Sequence, residues 1–259
     1  VLGASALARA PVHCERIEGL ERFTEVRSSR AQANVASSPL DALGLLPALQ
    51  KLYHGAAKGT GLAKAAFSFR SPAGRCPTCK GTGAERVPME VLADLQLPCP
   101  TCSGRRFRPE TLGVRWQGLS IDAFLDRAAS ALMPLLPAGK LRDGANALVR
   151  VGLGHLSLGR RSSTLSGGEI PRLSLAATLI QTRSPTLLLL DEPARGLHEQ
   201  DLNRLITVLR EAAARGDLIV AAVHRLSLIR AADHVIDLGP GSGADGGQLV
   251  AQGPPASLE

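Results

Sequence analysis

The stretch STLSGGEIPRLSLAATLIQTRSPTLLLLDEPARGLHEQD, Ser163–Asp201, decides how the chain reads. Its four leucines, Leu187–Leu190, sit between Pro185 and Pro193. A bracketed run this short is a strand rather than a helix, and its unbroken apolar character predicts burial on both faces. Asp191 and Glu192 then emerge at the carboxyl end, where open α/β sheets place their ligands. Two adjacent carboxylates there suit a nucleotide triphosphate: Asp191 toward Mg²⁺ through water, Glu192 polarising the attacking water. The alternative is strand-end acids that cap the next helix.

Upstream, Ser166, Gly167, Gly168 and Glu169 precede a segment whose Leu173, Leu175, Ala176, Leu179 and Ile180 mark a buried helix face. Thr164 or Ser166 would cap it, with Glu169 and Pro171 in the first turn. Glycines at a helix start expose backbone N–H groups, and the helix dipole favours an anion there. Many helices start this way and bind nothing, so the turn gains meaning from its company. A second apolar run, Leu218–His224, follows a helical segment, Asp201–Arg215, and ends in a histidine able to meet a γ-phosphate. HVIDLGPG and GQLVAQGP read as two more short strands around a Gly-rich turn. Yet the 259 residues hold no GxxxxGK-Ser/Thr loop to cradle phosphates.

Cys76, Cys79, Cys99 and Cys102, in CPTCKGTG and CPTCSGRRF, are spaced C-x2-C-x19-C-x2-C. Two such knuckles complete a tetrahedron around one structural Zn²⁺. Disulfides and a redox CxxC are the alternatives. The absence of a secretory signal points to a cytoplasmic chain with reduced thiols, and a redox pair needs no duplicate. Cys14 stands alone and reads as a small buried residue. Phe67, Phe69 and Phe107 read as core rather than as base-stacking platforms.

Charge singles out the same region. Lys58 to Arg108 holds nine basic residues against three acids and so carries +6 of a total of +7. Arg105, Arg106 and Arg108 flank the second knuckle, placed either to meet DNA phosphates or to form a solvated surface. Aromatic residues are 3% of the chain, which suits helices packed on a parallel sheet, and no apolar run reaches the ~20 residues of a membrane span.

The order LSGGE, LLLLDEP, GLH and a strand-end histidine resembles the ABC ATPases. With zinc knuckles upstream of the signature, the chain more narrowly resembles the C-terminal half of the UvrA family, the damage-recognition component of the bacterial excinuclease in nucleotide excision repair. IEGLERF (Ile17–Phe23), VGLGHLSLG (Val151–Gly159) and DHVIDLGPGSGADGGQLVAQG (Asp233–Gly253) carry that likeness along with the motifs above. The chain departs from the family pattern at Ile170-Pro171, Arg195 and Val223, and Gln32 lies in an unfamiliar setting.

The resemblance implies an α/β, ABC-type ATPase core, incomplete because the P-loop is missing, with an inserted helical signature region and a four-cysteine zinc module. VLGASALARA would be the helix after the phosphate-binding loop, placing that loop just before Val1. The implied domains are 1–66, part of the nucleotide-binding domain and linker; 67–115, the zinc module; 116–160, the helical signature region; and 161–259, the core with signature, Walker B strand and His224 switch. Within 116–160, Ile121–Pro137 and Leu141–Gly154 read as helices, and LDALGLLPALQKLY is helical further upstream.

The implied cofactors are ATP, Mg²⁺ and Zn²⁺. Ser166, Gly167, Gly168 and Glu169 would contact a nucleotide held by a second nucleotide-binding domain, in the same parent chain or a dimer mate. Asp191, Glu192 and His224 would serve the loop missing here, so the complete protein would be the ATPase and the isolated chain inactive. DNA and other excision-repair subunits are the implied partners, with no membrane. The competing reading is a non-catalytic zinc-bearing interaction module with a vestigial nucleotide site.

Overall fold

The computed structural model describes residues 23–26 (backbone), 38–87, 95–181, 186–241 and 247–258. The segments Val1–Ala10 and Ile17–Arg22, Cys14 and Gln32 lie outside the described residues. The first strand, β1 (Phe23–Val26), belongs with residues 167–259 in one compact unit, while residues 30–166 form another.

The 30–166 unit is mostly helical. It runs α1 (Pro39–Ala42), α2 (Leu46–Ala56), a 3₁₀ turn at Lys64–Phe67, the hairpin β2 (Ala84–Val87) and β3 (Leu95–Pro98), α3 (Pro109–Gly113), α4 (Ile121–Asp126), α5 (Ala129–Leu132) and α6 (Lys140–Arg150). A capping box starts α1, where Asp41 Oδ2 accepts from both the Ser38 amide and hydroxyl and also pairs with Arg70 at 2.9 Å. The core gathers Tyr53, Phe67 and Phe124, with Tyr53 stacked on Phe67 and edge-on to Phe124. Tyr53 sends its hydroxyl to the Leu119 carbonyl at 3.1 Å. Buried phenol with a satisfied donor is a stable arrangement, and burial raises its pKa well above the usual tyrosine value.

Two expected helices are broken. Ile121–Pro137 divides into α4 and α5 because Arg127 and Ala128 are extended and Ala128 makes an isolated bridge with Ser157. Upstream, α1 and α2 are separated at Gly44, whose φ of 65° suits glycine. Phe67, Phe69 and Phe107 are core, all 5% exposed or less.

In the other unit the leucine run is β4 (Leu187–Asp191). It pairs in parallel with β1 on one side and β5 (Leu218–Ala222) on the other. Two helices follow the pattern of their apolar faces: α7 (Glu169–Gln181) lies against β1, and α8 (Glu199–Ala214) lies against β5, burying Leu202, Leu205, Val208 and Ala212. A short α9 (Leu226–Ala231) precedes the antiparallel pair β6 (Val235–Leu238) and β7 (Leu249–Gly253).

The expectation of β4 buried on both faces is corrected. Leu188 and Leu190 are buried, but Leu187 and Leu189 are half-buried. Their partners on β5, Leu218 and Val220, are 56% and 53% exposed, so the face these four residues share stands partly open. Four leucines in a row specify a strand but not how many layers cover it. Among the described residues, no helix is long and apolar enough to cross a membrane.

Candidate functional site

The two cysteine knuckles are a structural repeat at an interval of 23 residues. Cys76 Sγ lies 4.0 Å from Cys99 Sγ, Cys79 Sγ lies 3.7 Å from Cys102 Sγ, and the hydroxyls of Thr78 and Thr101 meet at 2.8 Å. Backbone conformation repeats as well. Lys80 and Ser103 have φ of 52° and 49°, Gly81 and Gly104 have 87° and 84°, and Gly83 and Arg106 have 75° and 71°. The knuckles also exchange hydrogen bonds: the Cys99 amide donates to the Gly83 carbonyl at 3.1 Å and the Cys76 amide to the Arg106 carbonyl at 2.8 Å.

All four sulfurs lie within 4.8 Å of one another. A tetrahedral zinc with Zn–S near 2.3 Å needs sulfurs about 3.8 Å apart, so this set fits the ion. Hydrogen bonds from backbone N–H groups, chiefly that of Cys102, lower the Cys99 thiol to about 7, while burial pushes the Cys102 thiol up to about 12. A cation supplies the charge needed to deprotonate the full set. Glycine at 81 is sterically required, because a Cβ there would lie 1.9 Å from the Phe69 carbonyl oxygen.

Several basic side chains of the stretch from Lys58 to Arg108 face solvent. Lys58, Lys64, Arg70, Lys80, Arg105 and Arg108 are exposed, whereas Arg106 turns inward, its guanidinium over the Phe69 ring at 5.2 Å.

The carboxylates sit at the tip of the parallel sheet. Asp191 is the last residue of β4, in register with Ala222 of β5, and is exposed. Glu192 leaves the strand with φ of 47°, a left-handed conformation that costs a non-glycine residue about 1 kcal/mol. Its amide donates to the Ala222 carbonyl at 3.0 Å. That turn aims the side chain across the strand ends, where Glu192 Oε1 and His224 Nδ1 are 2.7 Å apart. His224 is 75% and Glu192 30% exposed, so a ligand can reach both.

The signature stretch divides in its surroundings. Ser166 is exposed and Gly167 is half-buried with open space where a Cβ would stand. Gly168 is buried, and a Cβ there would meet the Arg195 carbonyl oxygen at 2.2 Å. Glu169 is buried at the start of α7. The Thr164 hydroxyl donates to the Arg161 carbonyl and accepts from Arg160, so it is occupied within its own turn.

Two arginines escaped the reading of the sequence. Arg172 is 6% exposed, and its Nε donates to the Gly168 carbonyl at 2.8 Å, fixing the turn from below; burial lowers its pKa. Arg225, next to His224, donates from Nη2 to the Leu197 carbonyl at 3.1 Å and approaches Glu199 at 3.8 Å. Ser227 adds a bond to the same Glu199 at 3.0 Å. The turn after β5 therefore holds the loop 192–198 at both ends. Arg172 reaches back four residues along its own chain, whereas Arg225 acts on a segment 28 residues away, which no local pattern marks. Removing the clasp with Arg225→Ala is expected to cost about 1 kcal/mol. Amide exchange should quicken across 192–198 and not across α8, and unchanged exchange in that loop would refute the clasp.

No protein-family model matches the chain. Among curated proteins, UvrABC system protein A of Lactococcus lactis subsp. lactis is 38% identical over 93% of this chain and 26% of its own length. That of Mesorhizobium japonicum is 37% identical over 96% of this chain and 26% of its own length. The chain thus spans about a quarter of the length of these relatives. In three dimensions it is similar to the crystal structure of UvrA2 from Deinococcus radiodurans, with a TM-score of 0.85 and 35% identity, covering 92% of this chain and 30% of that one.

Proposed function

Since the chain belongs to the UvrA family, we propose that it forms part of an ATP-driven, DNA damage-recognition subunit of nucleotide excision repair. The observation that carries the catalytic half of this reading is the Glu192–His224 pair, 2.7 Å apart at adjacent parallel strand tips. In it, Glu192 orients and deprotonates water, His224 holds Glu192 in place and would meet the γ-phosphate, and Asp191 would hold the Mg²⁺ that neutralises charge on the phosphates. ATP supplies the free energy of the conformational cycle. Ser166 and Gly167 reach a nucleotide carried by a second nucleotide-binding domain, which the exposure of Ser166 and the open space beside Gly167 favour. Gly168 serves differently: its lack of a side chain lets the turn pack on Arg195.

Cys76, Cys79, Cys99 and Cys102 hold a structural zinc, which supplies a rigid crosslink and no open coordination position. The exposed basic side chains around it meet DNA backbone. Recognition by deformability relies on phosphate contacts rather than base edges.

DNA affinity across a salt series tests the reading. The logarithm of the binding constant should fall linearly with the logarithm of salt concentration, with a slope of about −0.9 per phosphate contact. Replacing Lys80, Arg105 and Arg108 together with alanine should flatten that slope by about 3. A salt-independent affinity, or a slope untouched by the triple change, overturns the DNA assignment.

A further inference from the structure

Both knuckles reach the segment that leads into Ser166. From the second, Arg106 donates through Nη1 to the Gly159 carbonyl at 3.0 Å. Into the first, Arg161 donates through Nη2 to the Thr82 carbonyl. Between these two anchors the Gly159 amide donates to the Leu125 carbonyl at 2.8 Å, and a Cβ on Gly159 would stand 2.8 Å from that of Leu125. Residues 159–161 are therefore fixed against α4 on one side and against the metal-binding loops on the other. The 3₁₀ turn Ser162–Thr164 and the buried Leu165 continue the segment to Ser166.

The conformation of Arg106 adds weight. Its place in the repeat is that of Gly83, and it keeps the left-handed φ there, 71° against 75°. Glycine would occupy that position without steric cost. The arginine instead places a guanidinium over Phe69 and against Gly159. It does so beside a second cation: burial and the nearby Arg161 both lower its pKa. Asp126 and Asp41 offset part of that repulsion, and the left-handed backbone at Arg106 is held by the contacts its guanidinium makes with Phe69 and Gly159.

We infer that Arg106 and Arg161 are positioning residues that make the four-cysteine metal site the brace of the signature segment, so that metal occupancy sets the order of residues 159–166. This rests on the reading of Ser166 as a nucleotide contact only for its consequence in ATP binding; the brace itself is a property of the 30–166 unit.

Hydrogen exchange of the zinc-loaded chain, followed by mass spectrometry, tests it. Stripping zinc with a chelator should quicken exchange in 159–166 about ten-fold in the unaltered chain. In the double variant Arg106→Gly, Arg161→Ala, the segment should already exchange fast with one zinc still bound, and stripping should add less than about two-fold. Arg106→Lys, which keeps a donor and the charge, should restore part of the protection. Slow exchange of 159–166 in the zinc-loaded double variant overturns the role of the arginines, and slow exchange in the zinc-free unaltered chain overturns that of the metal. In the native protein the double variant should also raise KM for ATP about ten-fold at unchanged zinc content. If the exchange pattern appears and no nucleotide binds, the brace stands and the assignment of Ser166 fails.

Discussion

Cys99→Ser is expected to abolish zinc retention and to unfold the knuckles, with the largest stability loss of any single substitution in the 30–166 unit. The reason lies in what else holds the module. Around the knuckle turns the buried cluster consists of Cys76, Cys99 and Cys102 with Cys79 packed against them, which are ligands rather than hydrocarbon, and the buried Phe69–Phe107 pair adds a single aromatic contact. The hairpin between the knuckles contributes little burial, since Leu95 and Leu97 are 50% and 46% exposed. Structural zinc in small modules supplies on the order of 10 kcal/mol of folding free energy. A serine hydroxyl leaves three thiolates and an open corner, and most of that stabilisation goes with it. Because about 1 kcal/mol moves the midpoint of a domain of 150–250 residues by about 2–4 °C, a loss of even half the zinc contribution lowers Tm by more than about 10 °C. Metal analysis and thermal unfolding by circular dichroism read both effects, and Cys14→Ser is the matched control that should keep its zinc. One zinc per chain and an unchanged midpoint in Cys99→Ser would remove the metal from the account.

The cysteine spacing foretold the gathering of four sulfurs, because each C-x2-C turn offers two of them whatever surrounds it. Leu187–Leu190 was equally legible as a strand, bracketed by prolines that end any helix. What covers that strand was not legible, since an apolar run carries no mark of how many layers lie over it. Ile121–Pro137 reads as one helix because its apolar spacing continues across Arg127 and Ala128; the break comes from a backbone bridge to Ser157, remote in sequence. The same limit applies at the site. Asp191, Glu192 and His224 could be named one by one, but the Glu192–His224 contact depends on the register that sets Asp191 beside Ala222. Arg106, Arg161 and Arg225 drew no notice as positioning groups because their partners, 28 or more residues away, are chosen by the fold. The repeat CPTCKGTG and CPTCSGRR did hold one unused signal: aligning the knuckles puts Arg106 opposite Gly83, an arginine where the turn favours glycine.

Glu192→Gln is expected to lower ATP turnover of the native protein by about 10²–10⁴-fold while leaving nucleotide binding nearly intact. The amide keeps the size of the carboxylate and can still hydrogen-bond His224, so the left-handed turn at 192 and the bond from its amide to Ala222 should persist. What disappears is the capacity to take a proton from water. Loss in kcat without a matching rise in KM marks a group that acts in the transition state rather than in binding. His224→Ala makes a distinct prediction. It frees the Glu192 side chain, 30% exposed, to rotate into solvent, and the penalty should be smaller than that of Glu192→Gln because the base itself survives. Combined in one protein, the two changes should cost less than the sum of the two single losses, since the orienting part of His224's role is worth nothing to a base already removed and only its γ-phosphate contact remains to be lost. Full additivity would mean that the 2.7 Å contact does not couple the two residues in the reaction. Undiminished turnover in Glu192→Gln would exclude the strand-tip carboxylate as the base and leave Asp191 and His224 without a catalytic centre to serve.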